Sequence, residues 1–166
     1  MKTLLLLRHA KSSRDDPSLT DHDRPLARRG KRASRKIGRL LDREDLWPER
    51  ILSSTATRAA STIRRVLAAS DQPDQYADNV EFHRDLYTFD AGKLADLVRE
   101  LGGPEETLMV VGHNPALENL LGFLVDEYRR FPTAALARVR LRVGSWSEID
   151  AGTGRLAGLW LPRELE

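Results

Sequence analysis

Two histidines and two arginines of the chain carry the side chains that phosphoryl chemistry requires. Arg8 and His9 directly follow the first apolar run, Arg58 stands near the start of a predicted helix, and a later apolar run leads into His113. A guanidinium group presents a planar fork of donors that engages two phosphate oxygens at once. A neutral imidazole attacks phosphorus when one ring nitrogen is held as a donor and the other is free. These side chains therefore predict a site for a phosphate dianion, with a histidine as candidate nucleophile.

Predicted helix N-termini lie beside these residues and would strengthen an anion site. Ser53, Ser54 and Thr55 supply N-cap oxygens for a helix after the second predicted strand. Asn114 can cap the helix that Pro115 begins. Unpaired N–H groups and the positive ends of the helix dipoles would then face the phosphate. Together with the arginines, this amount of positive charge predicts a site that works without Mg²⁺.

The composition excludes several other kinds of site. The chain has no cysteine, which excludes disulfides, thiolate metal sites and cysteine nucleophiles. No histidine pair or carboxylate cluster has the spacing of a metal site, and His22 and His83 are interpreted as solvated or structural. We therefore predict neither a metal nor a cofactor.

Charge and hydropathy bear on the partners of the chain. The formal net charge is only +2, and charged residues make up 31% of the sequence with both signs interspersed. Residues 138–142 are rich in arginine, but the sequence has no aromatic stacking platform beside them, so no nucleic-acid partner is predicted. No stretch approaches the roughly 20 apolar residues of a membrane span. We expect a soluble, cytoplasmic protein, and the oligomeric state is left open.

Short apolar runs alternate with amphipathic stretches along most of the chain. Strands are predicted at residues 3–7, 50–53, 79–82, 107–111, 135–143, 146–149 and 155–161. Helices are predicted at residues 26–41, 53–69, 91–101 and 115–125. Such alternation is typical of right-handed βαβ units, with helices on both faces of a mostly parallel sheet. The fold class is therefore α/β, a three-layer αβα sandwich, and residues 1–166 are expected to form one domain.

In such a sheet, ligands bind beyond the carboxyl ends of the strands. His9, Arg58 and His113 all follow predicted strands at that end. The predicted topology thus brings residues that are far apart in sequence into one crevice.

Three ordered motifs resemble the histidine phosphatase superfamily, also called phosphoglycerate mutase-like. They are LLLRHA at residues 5–10, SSTATRAAST at residues 53–62 and VVGHNP at residues 110–115. Within the superfamily, RHAKS at residues 8–12 and DHDRPL at residues 21–26 resemble the SixA-like phosphohistidine phosphatases. The resemblance spans most of the chain and implies the phosphoglycerate mutase-like fold.

The resemblance also implies roles for particular residues. His9 would be the nucleophile that becomes phosphohistidine, while Arg8, Arg58 and His113 would hold the phosphoryl group. Arg24 and Asn114 are further candidates for contact with phosphate or substrate.

Two carboxyl groups remain candidates for the general acid. Asp21, in the first loop, matches the SixA-like branch better, and Asp85 is the nearest match to the acid of mutase-like members. Phosphohistidine needs less help from an acid, because its imidazole leaves readily once it is protonated.

The length of the chain bears on the substrate. With 166 residues there is little room for an insertion over the site, so a phosphorylated side chain of another protein could enter. We therefore predict a phosphatase for phosphohistidine in a protein. A phosphatase for small phosphomonoesters and a phosphate-binding module without turnover stay open as alternatives.

Overall fold

A computed structural model describes residues 1–165 of the chain, and its centre is a six-stranded mixed sheet. The strands are β1 (Lys2–Arg8), β2 (Arg50–Ser54), β3 (Val80–His83), β4 (Thr107–Gly112), β5 (Leu136–Leu141) and β6 (Gly154–Trp160). Their order across the sheet is β3-β2-β4-β1-β5-β6. Neighbours from β3 to β1 pair in parallel, whereas β5 pairs antiparallel with both β1 and β6.

Helices cover both faces of this sheet. They are α1 (Arg28–Arg43), α2 (Thr57–Ala68), α3 (Pro73–Ala77), α4 (Ala91–Leu101) and α5 (Ala116–Val125). The apolar faces of α1 and α2 pack with Leu5 and Leu7 of β1, and those of α4 and α5 pack with Leu4 and Leu6. Strand β1 is apolar on both faces because each face is covered by helices. The αβα layering predicted from the sequence is confirmed.

The register of the parallel strands aligns their carboxyl ends. Arg8 at the end of β1 is paired with Gly112 at the end of β4, and Ser53 of β2 is paired with Val111. The backbone N–H of His9 donates to the carbonyl oxygen of Gly112 at 3.1 Å. The first residues beyond these three strands are thereby held side by side at one edge of the sheet.

The predicted strand at residues 146–149 is wrong. A 3₁₀-helix occupies Trp146–Glu148, with the Ser145 side chain accepting a hydrogen bond at its start. Trp146 is 1% exposed, and its indole N–H donates to the carbonyl oxygen of Glu105 at 2.7 Å. Burial of this one aromatic side chain, rather than an alternating pattern, decides the local structure.

Two other local expectations need correction. The N-cap of α2 is Ala56, not a hydroxyl residue; the Ser54 hydroxyl instead accepts from the Ala56 N–H at 3.1 Å. The short helix α3 (Pro73–Ala77) was not predicted, because five residues are too few to show a helical period. By contrast, α4 begins and ends where its apolar spacing predicts.

No helix within residues 1–165 has the length and apolar character needed to cross a membrane.

Candidate active site

His9 is held as a neutral imidazole with one ring nitrogen free. Its Nδ1 lies 2.8 Å from the carbonyl oxygen of Ala10, and because a carbonyl only accepts, Nδ1 must carry the proton. The other nitrogen, Nε2, is then unprotonated. Burial, together with the charges of Arg58, Arg8 and Arg24, lowers the pKa of His9 to about 4 despite the bond to Ala10. The ring is therefore a potential nucleophile throughout the neutral pH range.

His113 is a second neutral imidazole beside the first. The centres of the two rings are 5.1 Å apart, and His113 is 1% exposed. Burial and its neighbours His9 and Arg58 lower the pKa of His113 to about 3. Its Nε2 lies 2.9 Å from the hydroxyl oxygen of Ser54, while Nδ1 is buried without a partner among the described residues. A Ser54 hydroxyl that donates to Nε2 would place the ring proton on Nδ1, where it is available to a ligand.

Asp21 bridges two of the predicted phosphate-binding arginines. Arg58, which is 3% exposed, donates through Nη2 to Oδ2 of Asp21 at 2.9 Å and through Nη1 to its backbone oxygen at 2.6 Å. Arg24 donates to Oδ1 of Asp21 through Nε at 3.2 Å and Nη2 at 3.1 Å. The second terminal nitrogen of Arg24 donates to Ser12 Oγ at 2.7 Å. The Asp21 carboxylate thus accepts hydrogen bonds from both arginines.

The same carboxylate accepts a further hydrogen bond from Tyr87. The phenol oxygen lies 2.5 Å from Oδ2 of Asp21. The hydrogen bond from Tyr87, followed by those from Arg58 and Arg24, holds the pKa of Asp21 well below its usual range, although partial burial opposes this. Asp21 is therefore ionised at neutral pH, and in this arrangement it has no proton to give.

Arg8 and Asn114 are anchored by one backbone carbonyl. Arg8 Nη1 and Asn114 Nδ2 donate to the oxygen of Phe131, at 3.2 and 2.7 Å. Asn114 also donates to Glu118 at 3.0 Å and accepts from its backbone N–H at 3.2 Å. The N-cap of α5 is nevertheless Pro115 and not Asn114 as predicted, because the helix begins one residue later, at Ala116. Burial lowers the pKa of Arg8, and the nearby Glu118 opposes the shift. The Nε atoms of Arg8 and Arg58 are buried without partners in the described chain, so both keep donor capacity.

These residues surround a cavity of about 250 Å³ at the carboxyl ends of the strands. Its walls are formed by Arg8, His9, Lys11, Ser12, Arg14, Asp21, Arg24, Arg58, Phe89, His113, Asn114 and Thr133. The predicted site residues come together in this cavity with one exception. Asp85 is exposed in the 3₁₀-helix Arg84–Leu86 and is not part of the wall.

The structure adds residues that the sequence did not single out. Tyr87 and Phe89 meet the His113 ring edge-on, with centre distances of 5.3 and 5.5 Å. Thr62 accepts from the Ala10 N–H at 2.9 Å and donates to the Arg58 carbonyl oxygen at 2.7 Å, which connects the loop that contains His9 to α2. The spacing of four residues between Arg58 and Thr62 could have indicated a shared helix face. No comparable spacing in the sequence indicated that Tyr87 and Phe89 lie beside His113.

No group of three or more histidine, aspartate or glutamate side chains within residues 1–165 is arranged to hold a metal ion. The polar groups of the cavity are instead guanidinium and imidazole donors around one carboxylate, which suit an oxyanion.

Comparisons with known proteins show the family of the chain. Residues 4–102 match the histidine phosphatase superfamily (branch 1). An uncharacterised chloroplastic protein of Arabidopsis thaliana is 34% identical over 97% of this chain and 78% of its own length.

Two solved structures extend the likeness to the whole fold. One, from Agrobacterium tumefaciens and assigned as the phosphohistidine phosphatase SixA, superposes with a TM-score of 0.81 at 26% identity, over 97% of this chain and 98% of that one. The protein histidine phosphatase SixA complexed with tungstate gives 0.80 at 25% identity, over 98% of each chain. The chain therefore belongs to the histidine phosphatase superfamily, as a SixA-like member with the phosphoglycerate mutase-like fold.

Proposed function

We propose that this phosphatase removes the phosphoryl group from phosphohistidine in a protein, through a covalent intermediate on His9. The observation that carries the proposal is the state of the His9 ring. It is neutral, its Nδ1 proton is engaged by Ala10, and its Nε2 is free in a cavity lined by arginines. A dianion entering that cavity would meet the nucleophile and its stabilising charges together.

In the first step, His9 Nε2 forms a bond to phosphorus as the P–N bond of the substrate breaks. The leaving imidazole, protonated on its other nitrogen before cleavage, departs as a neutral ring and needs no acid from the enzyme. The incoming phosphoryl group replaces the Asp21 carboxylate on Arg58 and Arg24. Arg8 and the Nδ1 proton of His113 complete the donors on its oxygens, and Asn114 positions Arg8 through the shared carbonyl.

In the second step, water attacks the phosphorus of phospho-His9, and the bond to Nε2 breaks. Orthophosphate leaves with the hydroxyl group from water, the remaining proton goes to solvent or to the phosphate, and His9 is regenerated. Asp21 returns to the arginines and competes with the product for them. The positive charge of the donors replaces a metal ion in this scheme, so we propose a metal-independent reaction in both steps.

The proposal of a protein substrate rests on the accessibility of the cavity and on the similarity to solved phosphatases. Phe89, in the wall of the cavity, is 47% exposed. A phosphorylated side chain could therefore project into the site from a second protein. The likeness to the protein histidine phosphatase SixA, solved with the tetrahedral oxyanion tungstate, supports the same substrate class. A cytoplasmic location and the absence of a nucleic-acid partner remain predictions.

The test measures phosphate release from a phosphohistidine protein and from a panel of small phosphomonoesters, with EDTA present throughout. His9→Ala removes the nucleophile, and His83→Ala is the matched control because His83 bonds to Glu81 away from the cavity. We expect chelator-insensitive release from the protein substrate by the wild type and the control, and loss of it in His9→Ala. Preference for an ester would reassign the substrate, inhibition by EDTA would overturn metal independence, and no turnover by the wild type would leave a binding module.

A further inference from the structure

A second cavity, of about 410 Å³, lies beside the site and is ringed by cations. We call it the basic cleft, and its charged wall consists of Lys11, Arg29, Arg32, Lys36 and Arg163. Apolar groups from Pro132, Leu161 and Pro162 complete the wall. A charged rim around an apolar surface is typical of a site that binds a partner with both charged and apolar groups.

One face of α1 supplies most of this charge. Arg29, Arg32 and Lys36 follow one another at intervals of three and four residues, which places them on the same side of the helix. They extend over about 10 Å of helix axis, given the rise of 1.5 Å per residue. Lys11, in the loop after β1, and Arg163, in the 3₁₀-helix Pro162–Glu164, close the ring from other parts of the chain.

The cations of the basic cleft have no acidic partners in the structure. Within residues 1–165, none of the five side chains makes an ion pair or donates a hydrogen bond. Elsewhere arginines are paired, as in Arg50 with Glu81 and Arg99 with Asp96. The net charge of the whole chain is only +2, so the positive charge of the basic cleft is offset by acidic residues elsewhere on the protein. Such a field attracts an anionic partner and speeds its association.

The basic cleft adjoins the active-site cavity. Lys11 and Thr133 line both cavities, and Lys11 is only two residues beyond His9. A partner that occupies the cleft is therefore positioned to present a phosphorylated side chain to the nucleophile.

We propose that the basic cleft binds an acidic segment of the protein substrate next to its phosphohistidine. Three of the five cations are spread along α1, which suits a row of carboxylates better than a single second phosphate. The apolar wall accommodates side chains between the acidic ones. This inference rests on the proposed function for its substrate, but binding in the cleft can be measured without turnover.

The binding test uses a fluorescein-labelled, unphosphorylated peptide with alternating glutamate and leucine residues, measured by anisotropy. Arg32→Glu/Lys36→Glu reverses two charges of the cleft. Arg35→Glu/Arg39→Glu is the matched control, with the same spacing on α1, the same change in net charge and exposed side chains outside the cleft. We expect the cleft variant to lose about tenfold or more in affinity, as for the removal of several charge pairs, and the control to bind like the wild type. Equal loss in both variants would overturn the proposal, because it would reflect net charge alone.

A kinetic test links the cleft to the substrate. Two phosphohistidine peptides of equal length, one with glutamate and one with serine flanks, are compared with free phosphohistidine. We expect the wild type and the control to prefer the acidic peptide in kcat/KM, the cleft variant to lose that preference, and turnover of free phosphohistidine to be unchanged in all three. Equal kcat/KM for both peptides in the wild type would overturn the proposal.

Competing ligand classes are separated by direct binding. Anionic phosphatidylserine vesicles and a DNA duplex are tested against the same three proteins. If the cleft variant loses affinity for vesicles or DNA but not for the acidic peptide, the proposal is wrong. If no substrate is hydrolysed while the peptide affinity depends on the cleft, the proposed catalysis fails and the cleft assignment stands.

Discussion

At the scale of single residues, the site is defined by which atoms carry protons. Ala10 determines the His9 tautomer by accepting from Nδ1, and Ser54 contacts His113 at Nε2. Asp21 is the only acidic side chain in the cavity wall formed by the described residues, and it is ionised and bound to Arg58 and Arg24. In this arrangement the carboxylate has no proton to give, and it holds donors of the arginines that we propose for phosphate.

Replacing Asp21 by asparagine should strengthen the binding of orthophosphate. The amide keeps a similar shape but removes the negative charge that neutralises the arginines, so the phosphate Kd should fall about tenfold at pH 7. Isothermal titration calorimetry measures this Kd directly. Asp85→Asn, which removes an exposed carboxylate outside the cavity, is the matched control and should leave the Kd unchanged. Weaker phosphate binding in Asp21→Asn would mean that the carboxylate is needed to hold the arginines in place.

At the scale of elements, the loop after β1 is seated against the N-terminal turn of α1. The Ala27 N–H donates to the Lys11 carbonyl oxygen at 2.9 Å. A Cβ atom at Gly30 would lie 2.2 Å from that same oxygen, so the close approach requires glycine. Since His9 lies in the same loop, the position of α1 helps to set the position of His9.

Gly30→Ala should therefore destabilise the protein and disturb the site. Overpacking against backbone costs about 1–3 kcal/mol in free energy of unfolding, and the shift of the loop should lower kcat as well. Gly122→Ala in α5 is the matched control, since its added Cβ would meet nothing closer than 3.7 Å. Urea unfolding of both variants checks the stability. If the two variants are equally stable, Gly30 is not required for the contact between loop and helix.

At the scale of the whole molecule, the two buried histidines make stability depend on pH. The pKa of His9 is lowered to about 4 and that of His113 to about 3, against roughly 6.5 in an unfolded chain. Below pH 6.5 the unfolded state binds protons that the folded state does not, so the free energy of unfolding falls as the pH falls. The free energy of unfolding continues to fall until the pH reaches the pKa values of the two histidines in the folded protein. Asp21, with its lowered pKa, adds to it only below about pH 4.

From pH 7 to pH 5, each of these histidines should reduce the free energy of unfolding by about 2 kcal/mol. Urea unfolding in phosphate-free buffer at the two pH values measures the difference. His9→Gln should reduce the pH dependence by about 2 kcal/mol, because the amide does not titrate. An unaltered dependence in His9→Gln would show that His9 is not buried as a neutral ring.

The elements that position the site could be predicted because their signals are local. The apolar run before Arg8 and the helical spacing in α4 each lie within a dozen residues, and both elements form where the pattern indicates. The strand predicted at residues 146–149 was wrong because Trp146 is buried against a distant part of the chain. The spacing of apolar residues indicates which side of a local segment is buried, but it does not indicate a contact with a residue far away in the sequence.

The fold class, the family and the set of histidines and arginines at the carboxyl ends of the strands are predictable from the sequence. These follow from ordered motifs and from the rule that parallel strands end at one edge of a sheet. Contacts within the folded chain were needed to show which groups bind Asp21, which aromatic residues border His113, and that Arg163 joins the cations of α1 in one cleft. The physical reason is that protonation, hydrogen bonding and charge clustering depend on distances between residues remote in sequence, which packing alone sets.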